Sequence, residues 1–357
     1  MSSLAPVPTP GAVGAPTVAQ AYSETEAYSR SVVDTMTKTE FPLWNASLPS
    51  PLVQALTYSH LGLTCADLEV SIRFYAKIGF EVFKKDEESG IMLLRNTEGL
   101  ELHLIKSDLP SPEGKNVLMD FPNLKPPGHT HASWKVPSVP SAKAYMEDNG
   151  IVLSGTRSTL AIFVRDPDRS TLEFERNDGQ DEPPAGGFTA AHIGYGRVLD
   201  HVGTRIRGPY PRHLDWYSTT LGFVLLTRWY DPDSDPSKNF PPVITRTPAG
   251  CELNFIPNCS SPIPETGEGT ENILTFEGKL TPGILYVALS VEGDMNENID
   301  KLRASGIDCV MDVDILAGAI WGDFPPGQRA LCALPEGPSI MLRDLNGSLW
   351  RLTANLK

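Results

Sequence analysis

Cysteine is scarce in this sequence. There are five, Cys65, Cys251, Cys259, Cys309 and Cys332, scattered and with no two in a C-x-x-C pair. That excludes a disulfide framework and a thiolate zinc site, and leads us to expect reduced thiols in a cytoplasmic protein. Long apolar runs are missing too: no stretch approaches 18 uncharged apolar residues, so no membrane span is expected. The N-terminus has no basic segment followed by an apolar one, so no secretory signal is expected. Positive charge is in deficit, with 30 Lys and Arg against 44 Asp and Glu and a net charge of −14. A nucleic acid or an anionic membrane, each of which needs a basic patch, is therefore not an expected partner. The acidic excess reads as a solvated surface. What remains is a small-molecule substrate, bound by a monomer or homodimer. With 40% hydrophobic and 21% charged residues in 357, the chain has ample material for a large core.

Proline is plentiful, at 32 residues, and its clusters punctuate the chain. MSSLAPVPTPGAVGAPT opens an N-terminal arm over 1–54 with no apolar period, followed by one predicted helix over 18–37. NDGQDEPPAGGF (177–188) combines Pro-Pro with Gly-Gly and reads as a linker. We divide the chain into the arm, a first domain over 55–180, a linker over 181–195, and a second domain over 196–357.

The two halves repeat each other. YSHLGLTCADLEVSIRFYAKIGFEV (58–82) and LDHVGTRIRGPYPRHLDWYSTTLGFVL (199–225) each read as strand, polar turn, amphipathic helix and Gly-Phe leading a new strand. His60 aligns with His201, Tyr75 with Tyr217, and Gly79 with Gly222, each glycine standing where a helix must stop. NTEGLELHLI and RTPAGCELNFI then place Glu101 and Glu252 on later strands. HASWKV onward repeats the pattern in the second quarter and LYVALSV onward in the fourth, giving four βαβββ modules. Period-2 alternation gives each sheet one core face and one face that meets solvent or lines a cavity. It also places Glu101 with His103, His129 with His131, and Glu173 with Glu175 on shared faces. Tyr75, Tyr217, Trp134, Trp216 and Trp350 read as packing residues. His60 taken alone would be a buried structural histidine, and Glu101 or Glu173 alone a solvated carboxylate.

HLGLTCADLEVSIRFYAKIGF and VRDPDRSTLEF, set in four such modules, resemble the vicinal oxygen chelate superfamily, which includes glyoxalase I, extradiol dioxygenases and bleomycin-resistance proteins. The resemblance covers about 55–176 and 196–357. It implies an α+β fold in which the four βαβββ modules pair into two half-open, barrel-like domains, each pair able to surround a divalent metal with ligands from first and last strands. Carried across, the ligand positions are His60 and Glu101, His131 and Glu173, and His201 and Glu252. Module four has Tyr286 and Arg351 there, and a cation cannot ligate a divalent metal. One metal per chain, Zn, Ni, Co, Mn or Fe, is therefore expected. Sequential pairing gives His60, Glu101, His131 and Glu173; exchanged pairing gives His201 and Glu252 with His131 and Glu173. The stronger match of module one favours the sequential set, with His103 as a substitute for Glu101.

The implied activity is that of a metal-dependent isomerase or lyase of the glyoxalase type. It would act through a metal-chelated enediolate, with Glu173 as proton shuttle and Glu101 opposite. The alternatives are an Fe(II)-dependent dioxygenase and a non-enzymatic binding or resistance protein. Glutathione is an implied cosubstrate, against which several departures count. Thr64 stands where the glutathione-using enzymes carry Arg, although Arg205 restores it in module three, and Ile105 and Ile256 stand where they carry Asn.

Overall fold

The computed structural model describes residues 48–86, 90–107, 127–157, 159–176, 182–194, 199–206, 210–228, 243–256, 275–276, 279–280, 282–311 and 337–354. The helix predicted over 18–37 lies outside the described residues. Module one is β1 (Ala55–Cys65), α1 (Leu68–Lys77), β2 (Glu81–Asp86), β3 (Ile91–Arg95) and β4 (Glu101–Lys106). Module two is β5 (Gly128–Val136), α2 (Val139–Asp148), β6 (Leu153–Arg157), β7 (Ala161–Arg165) and β8 (Thr171–Arg176). Module three is β9 (His201–Arg205), α3 (Tyr210–Leu221), β10 (Val224–Arg228), β11 (Val243–Arg246) and β12 (Glu252–Ile256). A two-stranded ladder, β13 (Thr275–Phe276) and β14 (Lys279–Leu280), precedes module four. That module is β15 (Gly283–Val291), α4 (Met295–Ala304), β16 (Cys309–Met311), β17 (Ser339–Arg343) and β18 (Leu349–Ala354).

Local chemistry accounts for the helices. The Asp67 carboxylate accepts from the Val70 amide at the start of α1, and Asp294 does the same for Asn296 and Glu297 in α4. α1 and α3 stop at Gly79 and Gly222, which adopt φ of +90° and +75°. No described helix is long and apolar enough to cross a membrane.

Among the described residues, β1–β12 and β15–β18 form two eight-stranded sheets, neither closed into a barrel. Their orders are β16-β17-β18-β15-β1-β4-β3-β2 and β10-β11-β12-β9-β5-β8-β7-β6. Module one thus shares a sheet with module four, and module two with module three. This corrects the sequential pairing favoured above: neither sheet coincides with the first or second half of the chain. The linker supplies the reason. Before β9 begins, the Gly194 amide donates to the Lys135 carbonyl and the Asp200 amide to that of Ser133. The chain is thereby laid antiparallel along β5 as it leaves module two.

Modules one and two, and likewise three and four, meet instead where the helix of one packs on the turn between the last two strands of the other. The Tyr75 hydroxyl donates to Asp166 Oδ2 at 2.8 Å, and Ser71 Oγ to Asp168 Oδ2 at 3.2 Å. In the repeat, Tyr217 donates to Asp344 at 2.6 Å and itself accepts from Trp350 Nε1 at 3.0 Å. Both tyrosines are fully buried, as are Trp134 and Trp350. Trp134 stacks on Phe174 with ring centroids 5.6 Å apart. Burying side chains of this size contributes about 1.5–3 kcal/mol each.

Candidate metal centre

In the second sheet β5 and β9 lie side by side at the centre, flanked by β8 and β12. His131 faces Gly203 across the β5–β9 ladder, and Ser133 faces both His201 and Glu173. Glu252 is in register with His201 on the far side. Alternation therefore puts His131, Glu173 and His201 on one face. Their ligand atoms converge: His131 Nε2 lies 3.2 Å from His201 Nε2 and 3.3 Å from Glu173 Oε2, and His201 Nε2 lies 3.2 Å from that same oxygen. The three are a group able to hold a metal ion. All are largely buried, with His131 the most open at 15% side-chain exposure. A glycine makes the approach possible: a Cβ on Gly203 would stand 2.0 Å from His131 Cε1.

The donor set fits a divalent metal. The Thr130 hydroxyl donates to the Gly203 carbonyl at 3.1 Å, so its oxygen is left to accept from His131 Nδ1, also at 3.1 Å. Asp200 Oδ2, an acceptor, lies 2.9 Å from His201 Nδ1. Both rings thus carry a hydrogen on Nδ1 and aim Nε2 at the same point as the Glu173 carboxylate. Two Nε2 lone pairs cannot face each other at 3.2 Å without a proton or a cation between them. Without metal, a proton takes that place. Burial works against a charge on His201, but its bonds to Asp200 and Glu173 prevail and raise its pKa to about 10. Burial lowers His131 to about 4. Glu173 is pushed up by burial, yet the His201 hydrogen bond and the nearby imidazole charge hold it below the usual carboxylate value.

Glu252 does not join the cluster. Its Oε1 accepts from Arg246 Nε at 3.0 Å and is also paired with the Arg246 Nη2. The first sheet holds the same pair, Arg95 Nε to Glu101 Oε1 at 3.0 Å, where no metal cluster forms among the described residues. The repeat marks Arg–Glu as a cross-strand pair of modules one and three. A second group, Glu175, Asp200 and His201, is also close enough to hold a cation. It already has one: Lys135 Nζ lies 2.9 Å from Glu175 and 3.5 Å from Asp200.

His60 and Glu101 lie in the first sheet, away from His131 and Glu173. There Tyr286 faces Gly62, as His131 faces Gly203, and Arg351 takes the register of Glu173. His60 stacks on His103 at 4.0 Å, and its Nε2 has no hydrogen-bond partner. Burial, with His103 and Arg351 nearby, holds His60 well below its ordinary pKa. His103 Nδ1 is 2.9 Å from the Tyr286 hydroxyl, to which Arg351 also donates at 3.4 Å. These four residues are wholly buried and pack as core, whereas His131 in the second sheet keeps 15% of its side chain exposed. His129 also parts from His131. A register shift separates them on β5, and His129 bonds Thr204 Oγ1 and the Leu349 carbonyl of the other sheet.

Asp200 is the residue that sequence reasoning missed. Its signal was available, because each first-strand histidine follows an oxygen-bearing residue, Ser59, Thr130 or Asp200.

No family model and no curated protein sequence matches the chain. Solved structures do match. The chain is similar to a "putative dioxygenase" from Bacillus subtilis at 13% identity and a TM-score of 0.52, over 85% of this chain and 86% of that one. It is similar to glyoxalase I from Zea mays at 14% identity and a TM-score of 0.50, over 84% and 92%. A mutant form of the maize protein matches over 92% and 97%, at 13% identity and a TM-score of 0.51. The chain therefore has the fold of these solved structures, the fold that the resemblance to the vicinal oxygen chelate superfamily implied.

Proposed function

We propose that this chain is a metal-dependent enzyme of the vicinal oxygen chelate type, and that its chemistry is that of an Fe(II) dioxygenase acting on a small substrate with two neighbouring oxygens. One observation carries this reading: two Nε2 atoms and one carboxylate oxygen converge within 3.2–3.3 Å, while the fourth candidate, Glu252, is held aside by Arg246. Two histidines and one carboxylate form the set that leaves coordination positions open for oxygen chemistry. A bound iron would supply Lewis acidity and redox capacity; the chain supplies orientation and selection. Ser133 Oγ, Thr171 Oγ1 and Asn254 Oδ1 are buried without hydrogen-bond partners, on strands that carry or flank the three ligands. Unsatisfied groups of this kind favour a substrate whose hydroxyls or carbonyls complete them.

A second reading, a glyoxalase-type isomerase or lyase, is favoured by Glu252 standing in register with His201. Released from Arg246, it would provide a second carboxylate to move a proton between adjacent carbons. The test is metal analysis of the purified protein, followed by oxygen-uptake assays with catechols and turnover assays with α-hydroxycarbonyl compounds. About one iron per chain with oxygen consumption that survives Glu252→Gln supports the first reading. Turnover without oxygen, lost in Glu252→Gln, supports the second. Full metal retention in Glu173→Ala would overturn both.

A further inference from the structure

The three first-strand histidines share a device. In each, the side chain of the preceding residue meets the Nδ1 edge of the ring: Ser59 to His60 at 3.0 Å, Thr130 to His131 at 3.1 Å, and Asp200 to His201 at 2.9 Å. Consecutive strand residues ordinarily project to opposite faces, so each contact is a specific local arrangement. Two of the three oxygens are neutral hydroxyls. The third is a carboxylate, 2% exposed. A carboxylate so deeply buried is costly without a cation beside it. Lys135 provides one, reaching Asp200 at 3.5 Å and Glu175 at 2.9 Å from its own buried place on β5.

We infer that Asp200, braced by Lys135, is the positioning residue that fixes His201 as a metal ligand. The inference rests on the metal reading above. Asp200 receives the Nδ1 hydrogen, which sets the ring's tautomer and angle and keeps the Nε2 lone pair on the point shared with His131 and Glu173. A carboxylate partner also makes the imidazole a better donor than a hydroxyl partner does, so His201 is the stronger of the two nitrogen ligands. Lys135 keeps Asp200 and Glu175 from attracting a metal to the wrong side of the ring.

The experiment is titration of metal-stripped full-length protein with Co(II), following calorimetric affinity and the visible absorption of the bound ion. Compared with wild type, Asp200→Asn should bind about ten- to a hundredfold more weakly with a shifted absorption band. Asp200→Glu should recover most of the affinity, and Ser59→Ala, in the other sheet, should change neither readout. No binding by wild type would overturn the metal reading itself. Wild-type binding matched by Asp200→Asn in affinity and spectrum would overturn this inference alone. Should Asp200→Asn fail to fold, Lys135→Met replaces it: weaker binding with a displaced band supports the inference, and unchanged binding overturns it.

Discussion

At the scale of single residues the centre is a contest between a proton and a metal. With His201 raised to about 10 and His131 lowered to about 4, the metal-free site at neutral pH holds one proton among its converging atoms, on His201 Nε2. A metal needs the bare Nε2 and must expel it. Calorimetry in buffers of different ionisation enthalpy should therefore report about one proton released per metal bound. Affinity should rise with pH by about tenfold per unit across the neutral range, levelling off as pH approaches the His201 value. A pH-independent affinity would contradict this proton assignment. Ala substitution of His131, Glu173 or His201 should each remove the metal, whereas His60→Ala should keep a full equivalent by elemental analysis. His131 and Glu173 were legible because both pairings used them. His201 was legible only as an alternative, since its status depends on which strand lies beside β5, a fact carried by no local pattern.

Among the elements, two glycines and one turn invite substitution. A Cβ on Gly203 would meet the His131 ring at 2.0 Å, and one on Gly62 would meet the Tyr286 ring at 2.3 Å. Gly203→Ala and Gly62→Ala should each cost about 1–3 kcal/mol by overpacking, read from denaturant midpoints. Only Gly203→Ala should also weaken metal binding, because only there is the displaced ring a proposed ligand. The Asp166 turn links modules one and two. Burial, with Asp168 alongside, raises its carboxyl from 3.8 to about 7. Between those values the folded chain holds a proton that the unfolded chain has lost, so this group makes stability fall as pH rises from about 4 to about 7. Asp166→Asn should flatten that slope in melting temperatures measured across the interval. Strands and helices of this kind were readable because capping residues, glycine stops and period-2 alternation are local. The parting of His129 from His131 was not, because the register shift between them belongs to the ladder with β9.

For the whole molecule the decisive fact is the exchange of partners, and it was the least legible. Each module's sequence specifies its own four strands, but any first strand offers a similar edge to any other, so the repeat cannot say which edges meet. The path of the linker does say, through amides that bond along β5 before β9 starts. At the other centre β1 pairs with β15, drawing together residues from opposite ends of the described chain. There the Thr57 and Ser290 hydroxyl oxygens lie 3.0 Å apart, although the two residues are 233 positions apart in sequence. Side-chain atoms that close can be bridged by a disulfide with little backbone movement. The double variant Thr57→Cys/Ser290→Cys, with Cys259 and Cys332 replaced by Ser, should form an intramolecular crosslink on mild oxidation. It should show as a reducible shift on a denaturing gel. Closing so long a loop should raise stability by about 2–4 kcal/mol. Metal content should not change, because the crosslink lies in the sheet that lacks the ligand cluster. Sequential pairing would hold modules one and four in separate sheets and leave the two thiols unpaired, so a failure to crosslink in folded protein would count directly against the exchanged architecture on which the His131–Glu173–His201 site depends.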